Sequence, residues 1–159
     1  MSYVNKHLIP GESVVREASV HWIVFLPGFM WILTGIVLVV IVSPLETIDS
    51  GFVALLRLLA MLMALIGFFS IIKAMIYRWT TELAVTSRRV VAKWGLIKRD
   101  TIELNHSKVE SFIVHQSIPG RLLNYGTLIV QGTGGGSTPI VDIAEPLSFR
   151  SDAMAALDG

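Results

Sequence analysis

Two long apolar stretches dominate the first half of this 159-residue chain. Residues 22–42 contain no charged side chain, and as an α-helix they would extend about 31 Å, close to the ~30 Å hydrocarbon core of a bilayer. Residues 52–76 carry only Arg57 and Lys73. Because residues 43–51 between them are too few for more than a turn, the sequence predicts a two-helix transmembrane hairpin.

The composition of the whole chain agrees with this interpretation. The mean hydropathy is +0.65. Only 16% of the residues are charged, against ~25% in soluble domains. A cleaved signal peptide fits poorly, because its apolar region is about 7–15 residues long and ends at a small-residue cleavage site. A fully buried hairpin in a soluble protein is the remaining alternative.

Basic residues predict the orientation of this hairpin. Residues 43–51 contain Glu46 and Asp49 but neither Lys nor Arg. The basic residues that flank the hairpin are Lys6, Arg16, Arg78, Arg88, Arg89 and Lys93. Since Lys and Arg accumulate on the cytoplasmic side, we expect a multi-pass protein of the plasma (inner) membrane with both termini in the cytoplasm. The predicted parts are a cytoplasmic segment (1–20), the hairpin (21–77, spans at about 22–42 and 52–76) and a cytoplasmic domain (78–159).

Small residues mark one face of each predicted span. Gly28 and Gly35 are one heptad apart on the first, and Ala60, Ala64 and Gly67 follow one line on the second. Small side chains let helix backbones approach closely in lipid. These faces are predicted to pack helices, either the two helices of one hairpin or the helices of neighbouring subunits, and the sequence does not separate the two alternatives.

The second half of the chain has the pattern of short strands. Alternating and β-branched runs, separated by polar or glycine turns, predict six antiparallel strands. They cover residues 80–86, 89–94, 97–104, 109–116, 127–131 and 138–143. A short helical turn is expected at 119–124 and an amphipathic helix at 146–157. The expected fold is an all-β roll or barrel with one C-terminal helix.

A series of short motifs runs through the same region. They are Glu82-Leu83-Ala84-Val85-Thr86-Ser87-Arg88-Arg89-Val90, Gly95-Leu96, Ile102-Glu103-Leu104, Gln116-Ser117 and Gly120-Arg121-Leu122-Leu123-Asn124-Tyr125-Gly126. With Pro10-Gly11-Glu12 ahead of the hairpin, they resemble the membrane-bound form of the bacterial pleckstrin-homology-like (PH-like) domain. The resemblance covers about residues 8–157 and implies a two-helix transmembrane hairpin followed by a PH-like roll of about seven antiparallel strands with a C-terminal α-helix.

Two local expectations follow from this resemblance. The seventh strand, which the sequence pattern alone does not supply, is expected within residues 105–117. Many relatives carry Gly-x-Gly where this chain has Asn124-Tyr125-Gly126, so the geometry of that turn stays open.

Residues able to support catalysis are sparse. His106 and His115 lack a metal-ligand spacing or a neighbouring nucleophile. The glycine loop 132–138 lacks the Gly-Lys-Ser/Thr ending of a phosphate-binding loop, and a strand follows it, which favours a hairpin tip. We therefore expect no enzymatic activity, no cofactor, no metal and no nucleic-acid partner.

Basic residues of the first two predicted hairpins form the candidate binding site: Arg88, Arg89, Lys93, Lys98 and Arg99. Phosphoinositide-binding PH domains of eukaryotes use basic residues near the first strand loop. One interpretation therefore places this group against anionic lipid headgroups, each cation contributing about 1 kcal/mol. The other is that the charges only follow the positive-inside bias and keep the domain soluble.

The favoured function is a membrane-anchored interaction or scaffold module that assembles into a homo-oligomer. Exposed sheet edges can pair with a neighbour, and the resemblance makes self-assembly plausible because bacterial PH-like domains form rings. Peripheral binding of anionic lipid is the alternative, and a transport or channel role is the weaker third. The expected partners are the lipid bilayer, a second copy of the chain or another membrane protein.

Overall fold

A computed structural model describes residues 3–45 and 50–158, which divide into two compact units. One unit, the helix pair, is Trp22–Ile76. The other, here called the β-domain, combines the residues up to His21 with those from Tyr77 onward. The residues before the apolar region and those after it therefore fold together.

The helix pair consists of two long apolar helices. A 3₁₀ turn at Trp22–Phe25 leads into α2 (Leu26–Val42), and a second at Ser43–Leu45 follows it. The longer α3 is Ser50–Thr80, so its last residues belong to the β-domain. Pro27 lies in the first turn of α2, where its missing N–H leaves no helical hydrogen bond unmade. Two stretches are long and apolar enough, by length and composition, to cross a membrane: Trp22–Val42, which joins the first 3₁₀ turn to α2, and Gly51–Thr80 of α3.

Within the residues that the structure describes, seven antiparallel strands in two sheets form the β-domain, which confirms the strand number implied by the family resemblance. The first sheet has the order β1-β2-β3-β4 and the second the order β5-β6-β7. The strands are β1 (Val14–Ala18), β2 (Glu82–Thr86), β3 (Arg89–Trp94), β4 (Asp100–Asn105), β5 (Val109–His115), β6 (Tyr125–Gly132) and β7 (Ser137–Ala144). The helices of this unit are α1 (Tyr3–Lys6), α4 (Ile118–Leu122) and the C-terminal α5 (Pro146–Asp158).

The seventh strand is β1, and it precedes the helix pair. The expectation that this strand lies within residues 105–117 is wrong, since that region holds a 3₁₀ turn at His106–Lys108 and β5. Strand β1 pairs with β2 from Val14↔Thr86 to Ala18↔Leu83. The two paired strands are thus adjacent in space although both apolar helices lie between them in the sequence.

The core lies between the two sheets and α5. Leu83 and Val85 of β2, Leu128 of β6 and Ile143 of β7 are buried there. Phe149 of α5 is 1% exposed, and its ring meets that of Phe112 edge to face with centroids 6.4 Å apart. The C-terminal helix therefore closes the core with its largest apolar side chain.

The outer face of the first sheet is covered by the N-terminal segment, residues 3–13. Val4 of α1 is buried against Ala84 and Val91, which are cross-strand partners on β2 and β3. Because successive strand residues point to opposite faces, Ala84 and the core residue Leu83 are buried on different sides of the sheet. The N-terminal segment explains why both faces of β2 are shielded from water.

The turn at Asn124 accommodates the departure from Gly-x-Gly. Asn124 adopts φ 56°, a left-handed conformation that asparagine tolerates better than most residues other than glycine. Gly126 has no room for a side chain, because an added Cβ would lie 2.6 Å from the His115 carbonyl oxygen. The first position of the Gly-x-Gly pattern is thus replaceable here, and the last is not.

Candidate functional site

The five predicted basic residues do not form one patch. Arg88 lies in the β2–β3 turn and Arg89 begins β3, whereas Lys98 and Arg99 lie in the β3–β4 loop. Hairpin turns on the two sides of one strand stand at opposite ends of the sheet, and β3 separates them by about 17 Å. Each end must therefore be considered by itself.

Arg89 is held by the protein's own acceptors. Its Nε and Nη2 donate to the two carboxylate oxygens of Glu12 at 2.9 and 3.0 Å. Its Nη1 donates to Glu103 at 2.6 Å, and Nη2 also donates to the carbonyl oxygen of His7 at 2.7 Å. Four hydrogen bonds leave this guanidinium little capacity for a lipid phosphate. The prediction that Arg89 faces lipid therefore does not fit its surroundings.

Glu12 is the buried partner in this ion pair, and its carboxylate side chain has no exposed surface. Burial alone would raise its pKa. Hydrogen bonds from the Ile9 N–H, the Thr86 hydroxyl and Arg89, together with the Arg89 charge, instead lower the pKa to about 2. The Thr86 hydroxyl bond is 2.6 Å long. Glu12 thus stays ionised and ties the N-terminal segment to β2 and β3.

Lys93 contacts the beginning of the N-terminal segment, at Tyr3. Its Nζ lies 4.4 Å from the centroid of the Tyr3 ring, a cation–π distance. Glu82 faces Lys93 across the β2–β3 pair and accepts hydrogen bonds from the N–H groups of Tyr3 and Val4 at 2.6 and 3.4 Å. Residues 89, 91 and 93 alternate onto one face of β3, so both predicted cations of this strand lie on the side that the N-terminal segment covers.

Lys98 and Arg99 are the predicted cations that extend from the domain at the β3–β4 loop. The Lys98 side chain is 89% exposed, and its Nζ lies 3.8 Å from Asp100. Two apolar side chains precede them in the same loop, Leu96 and Ile97, with 52% and 99% exposure. Sequence reasoning missed this apolar pair because it began a strand at residue 97, whereas β4 begins at Asp100. The sequence does contain a signal for this exposed pair, namely two apolar residues directly after the turn glycine Gly95.

The small residues of the helix pair contact one another across it. A Cβ added to Gly28 would lie 3.0 Å from the Gly67 carbonyl oxygen, and one added to Gly35 would lie 2.9 Å from that of Ala60 and 3.4 Å from the Ala64 nitrogen. These distances mark close backbone approach of α2 and α3. The structure shows these residues packed within one hairpin, which leaves Gly28, Gly35 and Gly67 buried. Their packing between neighbouring subunits stays a prediction.

A polar cluster that the sequence analysis did not predict lies just after β1, at His21. The His21 N–H donates to the Asp142 carbonyl oxygen at 2.6 Å, and the His21 ring stacks on Tyr125 with centroids 5.2 Å apart. Burial lowers the pKa of His21 and raises that of Asp142. The cluster joins the end of β1 to β6 and β7.

The histidines considered for chemistry have ordinary surroundings. The His106 ring lies with Nε2 3.0 Å from the Thr86 carbonyl oxygen, and His115 is exposed on β5. Within residues 3–45 and 50–158, no three His, Asp or Glu side chains come together in a way that would hold a metal ion.

Comparison with known proteins gives one match. A family model described as a bacterial PH domain matches residues 22–155. Neither the curated proteins nor the solved structures contain a match to the chain. The matched range includes the helix pair and β2 to β7 but begins after β1.

Proposed function

This chain belongs to the bacterial PH domain family, and we propose that it is an interaction module anchored in the plasma membrane, with both termini in the cytoplasm. In this proposal α2 and α3 cross the bilayer. The β-domain stands at the cytoplasmic surface as the interacting part, and the partner is a second copy of the chain.

The proposed membrane topology rests mainly on one observation, the pairing of β1 with β2. Ala18 and Leu83 are register partners, so the residues before and after the helix pair must lie on the same side of any membrane that the helices cross. Two crossings meet this requirement and one does not. The lack of Lys and Arg in residues 43–51 then favours the cytoplasm for the β-domain.

The surface of the helix pair supports insertion into lipid. Large apolar side chains point outward along both helices, including Val40 with 64% and Met61 with 69% exposure. A core helix of a soluble protein would bury such residues. In the hydrocarbon core of a bilayer, exposure of these apolar side chains carries no hydrophobic penalty.

The topology can be tested with single cysteines, because the chain has none of its own. We expect Thr47→Cys, between the helices, to react with a membrane-impermeant maleimide in intact cells. The matched control Ser87→Cys, in the exposed β2–β3 turn, should react only after the cells are permeabilised. Equal reaction of the two positions in intact cells would contradict the proposed crossing.

Self-association is proposed to involve the β-domain, because the small residues of the helices contact each other within one chain. Helix α4 presents Ile118 and Leu122 with 77% and 81% exposure. Their i, i+4 spacing places them on one face. Such apolar exposure on the water-facing unit suits an isologous contact between two copies.

The mass of the purified complex tests this contact. In native mass spectrometry from detergent, the wild-type chain should give a defined multiple of 17.5 kDa. The double variant Ile118→Ser/Leu122→Ser should dissociate at least about tenfold more readily, since two central apolar contacts are lost. Leu147→Ser, exposed on α5, is the control and should keep the wild-type mass. A wild-type monomer would remove self-assembly from the proposal.

A further inference from the structure

The β3–β4 loop, residues 95–99, is an apolar tip with basic residues on one side. Ile97 is 99% exposed, the highest value among the large apolar side chains of the described residues, and Leu96 is 52% exposed. Lys98 and Arg99 follow directly and are exposed as well. An isolated apolar residue on a surface is common, but an adjacent pair at a loop tip beside two cations is the composition of a membrane-contacting element.

The backbone forms a tight turn at this tip. Gly95 has φ +90°, and a Cβ added there would clash with the Lys98 carbonyl oxygen. The chain therefore turns back on itself within four residues, so that Leu96 and Ile97 project from the turn. The pair Trp94↔Asp100 closes the loop at its base. The tip is a defined turn at the end of a hairpin.

Register places the tip at the end of the sheet where β1 ends and β2 begins. Lys93 pairs with Glu82, the first residue of β2, and Leu83 pairs with Ala18, the last residue of β1. Gly95 is two residues beyond Lys93, so the loop begins within about 10 Å of Glu82. Strands β1 and β2 lead to α2 and from α3 at this same end of the sheet.

We propose that the loop 95–99 contacts the bilayer surface, with Leu96 and Ile97 in the boundary between headgroups and acyl chains and with Lys98 and Arg99 on anionic headgroups. The inference rests on the proposed function, because it requires helices that cross the membrane. Anionic lipid is the occupant because the tip combines apolar and cationic groups at the end of the sheet where β1 ends and β2 begins. Arg88, at the opposite end, has no part in it.

The test uses the full chain in lipid nanodiscs with an environment-sensitive fluorophore on a single cysteine. The label is placed at Ile97→Cys or, as the matched control, at Arg88→Cys in the turn at the other end of β3. In discs with about a third phosphatidylglycerol, we expect at least about threefold weaker quenching by aqueous iodide at position 97 than at 88. A quencher on the lipid acyl chain should act on position 97 alone. Similar iodide quenching at both positions would overturn the proposal.

The role of the two cations has its own comparison. Adding Lys98→Gln/Arg99→Gln to the labelled chain, or using phosphatidylcholine discs, should remove most of the protection at position 97, because the attraction to anionic lipid is lost. Protection that is unchanged by both alterations would overturn the assignment of Lys98 and Arg99 to headgroups.

A third label separates this proposal from the anchoring on which it rests. A fluorophore at Val40→Cys, on the outer face of α2, should be quenched from the acyl chains. If position 40 is quenched and position 97 is open to iodide, the anchoring stands and the tip contact is wrong. If position 40 is also open to iodide, the proposed membrane crossing itself is wrong.

Discussion

Replacing Glu12 by alanine is expected to destabilise the β-domain by about 3 kcal/mol, because it leaves the largely buried Arg89 without its main partner. The variant also removes the side-chain acceptor of the Ile9 N–H and one of two acceptors of the Thr86 hydroxyl. For a domain of this size the melting temperature of the full chain in detergent should fall by about 10 °C or more. Tryptophan fluorescence during heating would measure it.

An exposed carboxylate provides the matched control for this variant. Glu110 lies on β5 and is exposed, and Glu110→Ala should change the free energy of unfolding by no more than about 0.5 kcal/mol. If the melting temperature of Glu12→Ala lies within about 2 °C of the wild-type value, the ion pair does not hold the N-terminal segment.

The same residue gives the β-domain an acid-sensitive component of stability. A glutamate side chain ordinarily has a pKa of 4.5, whereas the pKa of Glu12 in the folded domain is about 2. A carboxyl group with a lowered folded-state pKa contributes its full stabilisation above its unfolded pKa and loses it as the pH falls through the folded one. The melting-temperature difference between the wild type and Glu12→Ala should therefore narrow between about pH 4.5 and pH 2.

Phe149→Ala is expected to cost about 4 kcal/mol, because it leaves a cavity where α5 closes the core. It also removes the edge-to-face contact with Phe112. Hydrogen exchange of the full chain should show faster exchange throughout α5 and β5, in addition to a lower melting temperature.

Leu147 is the control on the same helix, since its side chain is 53% exposed. Leu147→Ala should leave exchange in α5 at the wild-type rate and change the free energy of unfolding by less than about 1 kcal/mol. An equal effect of Leu147→Ala and Phe149→Ala would mean that α5 does not close the core through Phe149.

The sequence was informative where structure is local. Hydropathy located both apolar helices, and alternation with turn glycines located six of the seven strands, because each of these signals resides within a few neighbouring residues. Strand β1 was missed for the opposite reason. Val14–Ala18 is a five-residue segment whose partner lies beyond both helices, and no local pattern records a pairing over that separation.

The candidate site shows the same limit. The sequence placed Arg89 and Lys93 in one group with the exposed cations Lys98 and Arg99, because only their charges could be compared. The structure shows that strand alternation turns both onto the face covered by the N-terminal segment. What decides their role is the placement of Glu12 and Tyr3, again residues from before the helices. Lys98 and Arg99 differ because their side chains, on the β3–β4 loop, are exposed.

The position of β1 has a consequence for the order of events during synthesis. A ribosome releases β1 first, then both apolar helices, and only afterwards the partner strand β2. In the proposed topology β1 must wait as a single strand until the hairpin has been inserted and has brought the chain back to the side on which it began. A nascent chain that fails to return presents β2 with an open edge, which exposes it to aggregation and proteolysis. In the proposed topology, completion of the β-domain is therefore a check on correct membrane insertion.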